Sequence, residues 1–484
     1  MIKYTSKVKV RSNESLALIY TPGVAKSCLE IKENPDRVFD LTNRSNSIGI
    51  MSYNYEDAYK RAEFFKKTKN VDCYPLEIKK TTKEDLDFVI QNIMPNFMGV
   101  DTSLIEGKEY NAPLDIPTRS KACIYEDKIE KLEPVMLREL FGGVVETTID
   151  EEKEEIIKPT AIISDGSAVL GLGNIGAICA IPVMEGKAVL FEELGDVPAI
   201  SLCLQTQNKD EIIKIVQLLE NSFSSINLED ICAPKCFEIE RELIKTTSIP
   251  IFHDDQHGTA IVVLAGLLNA LEVVNKRNKD IKIVISGAGA AGLSICKLLL
   301  KTGFSNITLC NINGVVYTGN PLNDPELDEV SKSTNKDNLR GTLKDAIINA
   351  DVFIGVSAPN IMTEEMVKTM AKDPIVFALA NPTPEIMPDI AKNAGAKIVA
   401  SGRSDFDNQI NNCLAFPGIF KGVLESKCKV ITDEIKVRCA VALAHTIEPE
   451  ELDENYIIPE ALDHRVAKNI SACIIDYVRN FEEK

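Results

Sequence analysis

An α/β chain built around a doubly wound parallel sheet is predicted by three observations. Between Asp280 and Ser401 five short apolar runs recur: IKIVIS from Ile281, ITLCN from Ile307, DVFIGVS from Asp351, IVFALA from Ile375 and KIVAS from Lys397. Most of the intervening segments are long enough for a helix, and two show helical periodicity. The first strand-to-helix turn reads Gly287-Ala-Gly289-Ala290-Ala291-Gly292. Continuous apolar strands alternating with helices mark a parallel sheet covered on both faces. Glycines at this spacing let the turn close, let backbone N–H groups approach a pyrophosphate and let the helix pack on the strand. Leu293, Cys296, Leu299 and Leu300 then fall at helical spacing and Gly303 stops the helix. Residues 277–425 therefore read as a Rossmann-like dinucleotide domain.

The rest of the chain sets bounds. Its 484 residues suffice for about three domains. With 54 basic against 72 acidic residues the net charge is −18, which argues against a sequence-independent nucleic-acid binder or a surface held by anionic lipid. Ala260 to Val274, interrupted by Asn269 and Glu272, reads as a buried helix rather than a membrane span. The first twenty residues lack the apolar core of a signal peptide. Thirteen scattered cysteines fit reduced thiols and a cytoplasmic location.

The first half holds a decoy and an echo. Gly171-Leu-Gly173-Asn-Ile-Gly176 also spells G-x-G-x-x-G, but Pro182 follows soon and no acidic residue stands after a second strand. A close-packed loop beside the substrate is the better reading. Arg61 to Ile105 overlays Lys187 to Ile231 without gaps, at an offset of 187 − 61 = 126. About eight of the 45 positions are identical, among them Phe65/Phe191, Val71/Val197, Leu76/Leu202 and Phe97/Phe223. A decayed duplication and two unrelated strand–helix units both remain open. At the positions of Lys187, Glu229 and Asp230 the echo carries Arg61, Ser103 and Leu104, which offer neither base nor metal ligand.

Chemistry-bearing residues cluster in two places. Glu229-Asp230 follows an amphipathic helix, and His253-Asp254-Asp255-Gln256-His257 follows the apolar run IPIF. Adjacent carboxylates repel unless a cation sits between them, and hard oxygen ligands suit Mg²⁺ or Mn²⁺. The two histidines are placed on a loop, with structural hydrogen bonding favoured over zinc; Cys232 and Cys236 are read as structural. Asp150 to Glu155 is read as a solvated acidic run. Lys187, framed by VMEG and AVLF, is a candidate general base if burial lowers its pKa, though a surface lysine is the blander reading. Tyr20 could supply a phenolic proton, although a core tyrosine is the stronger reading of that residue alone.

Together the segments YTPGVA (Tyr20), SDGSAVLGLGNIG (Ser164), PVMEGKAVLF (Pro182), INLEDI (Ile226), FHDDQHGTA (Phe252), GAGAAG (Gly287), FALANPTPEI (Phe377), SGRSDFDNQINN (Ser401) and FPGIF (Phe416) resemble the malic enzymes, closest to the short form of prokaryotes and some protists. The resemblance implies oxidation and decarboxylation of malate to pyruvate with NAD or NADP and a divalent metal. It makes Glu229, Asp230 and Asp255 the metal ligands, Lys187 the general base, Tyr20 the general acid and Asp254 a residue orienting the lysine. Asn381 and Asn412 would bind the substrate carboxylate. Gly287, Gly289, Ala290, Ala291, Gly292, Asn311 and Asn381 would line the cofactor. Asn311 stands where an acidic residue would favour NAD, so NADP or dual use is expected.

Two departures stand out. Ala168 occupies the place of an arginine that grips a substrate carboxylate in the larger relatives, so that counter-charge must come from elsewhere. Residues 51–157 interrupt the run that should lead from Ser47-Ile-Gly-Ile-Met51 straight into Asp165-Gly166. The expected organisation is a discontinuous α/β substrate domain (1–50 and 158–276), the 51–157 insertion, the dinucleotide domain (277–425) and a C-terminal helical segment (426–484) packing back on the first domain. The site is expected in the cleft between domains, in a homo-oligomer, a dimer, with no nucleic-acid or membrane partner. The insertion is expected either to cover the substrate domain or to make a subunit contact. A malolactic enzyme and a non-catalytic dinucleotide-binding regulator are the rival readings.

Overall fold

The computed structural model describes residues 2–20, 23–106, 143–150, 156–169 and 171–482. Residues 151–155 of the acidic run, residues 21–22 of the YTPGVA segment and residues 107–142 of the insertion lie outside these. The chain divides into one unit of residues 1–252 with 427–430, and a second of 253–426 with 431–484.

The first unit carries three sheets. Strand β1 (Ile2–Ser6) pairs antiparallel with β5 (Val145–Ile149). Strands β2 (Ser47–Ser52), β3 (Asp72–Glu77) and β4 (Gly99–Asp101) form a parallel sheet of order β3-β2-β4. Strands β6 (Thr160–Ser164), β7 (Ala199–Cys203), β8 (Ser225–Leu228) and β9 (Ile251–His253) form a sheet of order β7-β6-β8-β9. Helix α1 (Asn13–Ile19) precedes all but β1. Helices α2 (Tyr55–Lys69) and α3 (Lys83–Ile93) connect the strands of the three-stranded sheet. Helices α4 (Gly176–Gly195) and α5 (Lys209–Leu219) do so in the four-stranded one. The Thr82 hydroxyl caps α3 and the Asn208 amide oxygen caps α5, each accepting from N–H groups of the first turn.

Two expectations change here. The boundary at 50/51 cuts through β2, which is the central strand of the three-stranded sheet and belongs with the residues after it. Pro182 does not end the segment after Gly176: α4 continues thirteen residues further, to Gly195. A proline in a helix interior costs about 3 kcal/mol. It is outweighed because every residue from Ala180 to Phe191 is buried.

The second unit is organised by a six-stranded sheet, β12-β11-β10-β13-β14-β15. Strands β10 (Ile283–Ser286), β11 (Ile307–Asn311), β13 (Val352–Gly355), β14 (Ile375–Ala378) and β15 (Ile398–Ser401) are the five anticipated runs, all parallel. The edge strand β12 (Gly314–Val315) turns back antiparallel on β11. Strand β10 lies between β11 and β13, so the order reverses there and opens a crevice at the carboxyl ends. Helix α6 (Lys235–Thr246) ends the first unit's helices, and α7 (Asp254–Val273) begins the second unit.

Helix α7 packs against α8 (Ala290–Lys301) and α10 (Asp433–Ala444), and α9 (Phe416–Glu425) packs against α11 (His464–Glu482). The division therefore falls at 252/253 rather than 276/277. The C-terminal helices cluster with the dinucleotide sheet, not with the first unit as expected. Helix α7 is long and apolar enough to cross a membrane by length and composition, but 72% of that window is buried inside the protein.

Candidate active site

Each carboxylate of the acidic cluster sits just beyond a strand. Glu229 and Asp230 follow β8; Asp254 and Asp255 follow β9 as the first residues of α7. A helix N-terminus favours negative charge there. His253 is the N-cap and His257 lies on the first turn of the helix, so these histidines are not on a loop as expected. One oxygen each of Glu229, Asp230 and Asp255 falls within 4.8 Å of the others. Asp230 holds a φ of 54°, a left-handed conformation rare for a residue with a side chain, and its carbonyl accepts the Ala168 N–H at 2.8 Å.

Lys187, on α4, is fully buried and its Nζ lies 2.6 Å from Glu229 Oε2. A lysine buried to its Nζ is not a snorkelling surface lysine. Asn227 Nδ2 donates to the same Glu229 oxygen at 3.0 Å. Its own Oδ1, buried, has no partner among the described residues. Three mutually close carboxylates and an adjacent buried amide oxygen present a set of hard oxygen donors. The set fits a divalent Mg²⁺ or Mn²⁺ ion.

Asp254 is fully buried, and a methyl group on Gly258 would lie 1.8 Å from its Oδ1. The same methyl would sit 3.4 Å from Asn412 Cβ, so Asp254 and Asn412 are gathered around this glycine. Asn412 opens a short 3₁₀ turn after β15. Asn381 lies beyond β14, and its Nδ2 donates to Gly402 O at 3.2 Å. Tyr20 is buried at the C-cap of α1, its N–H donating to Leu16 O.

At the crevice beside β10, Gly287 has a φ of 108° and a methyl group there would strike Val356 O at 2.4 Å. A methyl on Gly292 would strike Gly287 O at 1.7 Å, whereas one on Gly289 would meet nothing within 4 Å. Gly287 and Gly292 thus serve the fold, while Gly289 leaves open space in front of α8. Ala290 and Ala291 begin that helix. Asn311 ends β11, and its Oδ1 accepts the Asn313 N–H at 2.8 Å.

Three supporting residues escaped the sequence reading. Lys235 pairs with buried Asp165 and donates to Gln207 O at 2.9 Å. The Asp165 carboxylate also accepts from Ser167 N–H and Oγ–H, and Ser167 Oγ accepts the Cys232 N–H at 2.9 Å. These bonds tie the Asp165–Ala168 turn to the segment after Asp230. Glu385, with its carboxyl pushed up by burial, accepts from Ser357 N–H at 2.8 Å and Ala380 N–H at 3.0 Å. It thereby joins the ends of β13 and β14 just before Asn381. Local pattern could not show the pairs Lys235–Asp165, Ser167–Cys232 and Glu385–Ser357, because their members lie 28 to 70 residues apart.

A parallel nucleotide-type sheet whose strand order reverses at β10 is the framework of a nucleotide-dependent oxidoreductase. The family description "Malic enzyme, NAD binding domain" matches residues 256–479, and "Malic enzyme, N-terminal domain" matches 102–211. The chain is 52% identical over 316 residues to the bifunctional malic/malolactic enzyme of Bacillus subtilis, covering 65% of this chain and 77% of that one. Against the NADP-dependent malic enzyme of Escherichia coli it is 43% identical over 331 residues. That match covers 65% of this chain but only 43% of the longer relative. The crystal structure of the NAD-dependent malic enzyme of Thermotoga maritima aligns over 97% of this chain and 94% of its own, with a TM-score of 0.62 and 35% identity.

The chain belongs to the malic enzyme family. It is an NAD(P)-dependent malate oxidoreductase of the decarboxylating kind.

Proposed function

We propose that the chain converts (S)-malate to pyruvate and CO₂ with reduction of NADP or NAD, at the cluster of Glu229, Asp230, Asp255 and Lys187. The observation that carries this reading is the approach of those three carboxylates to within 4.8 Å, with the buried Lys187 Nζ 2.6 Å from one of them. Glu229, Asp230 and Asp255 would hold Mg²⁺ or Mn²⁺. When bound, the ion supplies Lewis-acid stabilisation of negative charge on the substrate's oxygens.

Lys187, in its neutral form, accepts the proton of the malate 2-hydroxyl as the C2 hydride leaves for the nicotinamide. Asp254 orients that lysine. Asn381 and Asn412 bind the substrate carboxylate and hold it in one orientation. After CO₂ departs, Tyr20 delivers a proton to the enol carbon and pyruvate is released. The neutral Asn311, its oxygen already occupied by Asn313, imposes no charge repulsion on a 2′-phosphate; this supports NADP use beside NAD. Twelve described cysteines are free thiols, which supports a cytoplasmic setting.

Separating the two chemical steps tests the roles. Lys187→Ala is expected to lose malate oxidation at least a hundredfold more than decarboxylation of added oxaloacetate. Equal losses would make Lys187 a binding residue. Asp255→Ala should abolish the response to added Mn²⁺ while nucleotide affinity, read by fluorescence titration, changes little. A second reading, malate to lactate, gains from the name of the Bacillus relative. It predicts no net nucleotide reduction, so the yield of reduced nucleotide per malate consumed distinguishes the two.

A further inference from the structure

The echo at offset 126 is written into the structure as a set of reciprocal contacts. Helix α3 spans 83–93 and α5 spans 209–219, residue for residue at that offset; the 3₁₀ turns that follow, 94–96 and 220–222, do the same. The left-handed residues that end α2 and α4 are Asn70 and Asp196, again 126 apart. Sheet orders β3-β2-β4 and β7-β6-β8 agree.

The two halves also bind each other symmetrically. Lys79 N–H donates to Leu218 O at 2.9 Å, and Gln205 N–H donates to Asn92 O at 3.0 Å; the equivalents of 79 and 218 are 205 and 92. The Ser222 side chain accepts from Glu77 N–H and donates to Glu77 O. At the equivalent positions the Asn96 side chain accepts from Cys203 N–H and donates to Cys203 O. Phe88 and Lys214, themselves equivalent, meet each other, with Lys214 Nζ 5.7 Å from the ring centre. A residue that touches its own counterpart marks a two-fold axis, the mark of an isologous interface.

We propose that residues 47–105 are an internal copy of the substrate-domain core at 160–231, docked on that core as a second subunit would dock, so that a dimer-like contact is closed within one chain. This goes beyond the proposed reaction and does not depend on it. The occupant of the face formed by α5, the 220–222 turn and the end of β7 is therefore the copy rather than another molecule. The ends of the added segment agree with an insertion. A methyl on Gly143 would fall 2.3 Å from Asn43 N, so the chain returns beside the point where it left.

The copy has lost the site. Arg61 stands at the position of Lys187, and its guanidinium pairs with Asp101, at the position of Asn227. Among the described residues, the one carboxylate group able to hold a metal is that of Glu229, Asp230 and Asp255.

Cysteine substitution on the axis tests the docking. In the full chain, Phe88→Cys with Lys214→Cys should form a disulfide within one chain, found by peptide mapping, whereas Lys214→Cys alone should link no two chains under oxidation. A disulfide-linked pair of full chains through Cys at 214 alone, or no internal disulfide in the double variant, would overturn the proposal. Excising 47–142, with Asn46 joined to Gly143 through two glycines, should bare the face. That chain carrying Lys214→Cys should then sediment as a dimer and cross-link to itself. A folded, monomeric excised chain that does not cross-link would refute the stand-in role. If the excised chain proves insoluble, the two full-chain variants decide.

Discussion

Gly258 leaves no room for a side chain because Asp254 Oδ1 occupies the place a methyl group would take. The obstacle is the tip of a flexible side chain, not backbone, so Gly258→Ala should fold and displace Asp254. A melting temperature within about 3 °C of the parent is expected, with kcat for malate lower by about tenfold to a hundredfold, equal to ~1.4–2.8 kcal/mol. Under the proposed role of Asp254 toward Lys187, its displacement should also shift the pH–rate profile. An unchanged kcat and profile would remove Asp254 from the reaction. At this scale the sequence pointed to the candidate groups that the structure gathers, since carboxylates beside an apolar strand end require an explanation. It did not show what holds them. Lys235 lay in a segment read for its cysteines, and its partner Asp165 is 70 residues away.

Among elements, the strand–turn–helix at Gly287–Gly292 was legible because its three requirements are local. The structure separates them: Gly287 and Gly292 answer to backbone contacts within the fold, and Gly289 to space in front of α8. Gly292→Ala is therefore expected to lower the melting temperature of the nucleotide-free protein by more than 5 °C. Gly289→Ala should leave that temperature within about 2 °C while weakening nucleotide binding at least tenfold in titration. Equal thermal losses from both would mean that the turn has no open face. Helix limits were less legible. Pro182 and the run of polar residues at 253–258 each argue locally for a break, yet α4 passes through the first and α7 begins inside the second. Burial decides the first case. In the second, Asp254 and Asp255 suit the positive end of a helix, and the absence of a hydroxyl or amide cap hides its start.

For the whole molecule, strand content and motif order foretold two α/β parts, but their boundaries follow long-range packing that no window of sequence displays. Helix α7 was assigned by its motif to the first part and is held by α8 and α10 in the second. The same limit applied to β2, whose partners β3 and β4 come after the expected boundary. The Arg61–Asp101 pair gives the whole-molecule reading a stability test distinct from cross-linking. Arg61 is about one-third exposed while Asp101 is buried, so removing the arginine strands a carboxylate that retains some access to water. A cost of about 1–2 kcal/mol is expected, below the value for a fully buried pair because solvent screens part of it. Arg61→Met should therefore lower the denaturation midpoint and leave kcat and KM for malate unchanged. Lys187→Met, at the equivalent position of the other half, should do the reverse in activity and abolish turnover. If Arg61→Met instead lowers kcat at unchanged stability, the copy has kept a part in the reaction and cannot be merely the partner on which the working half is docked.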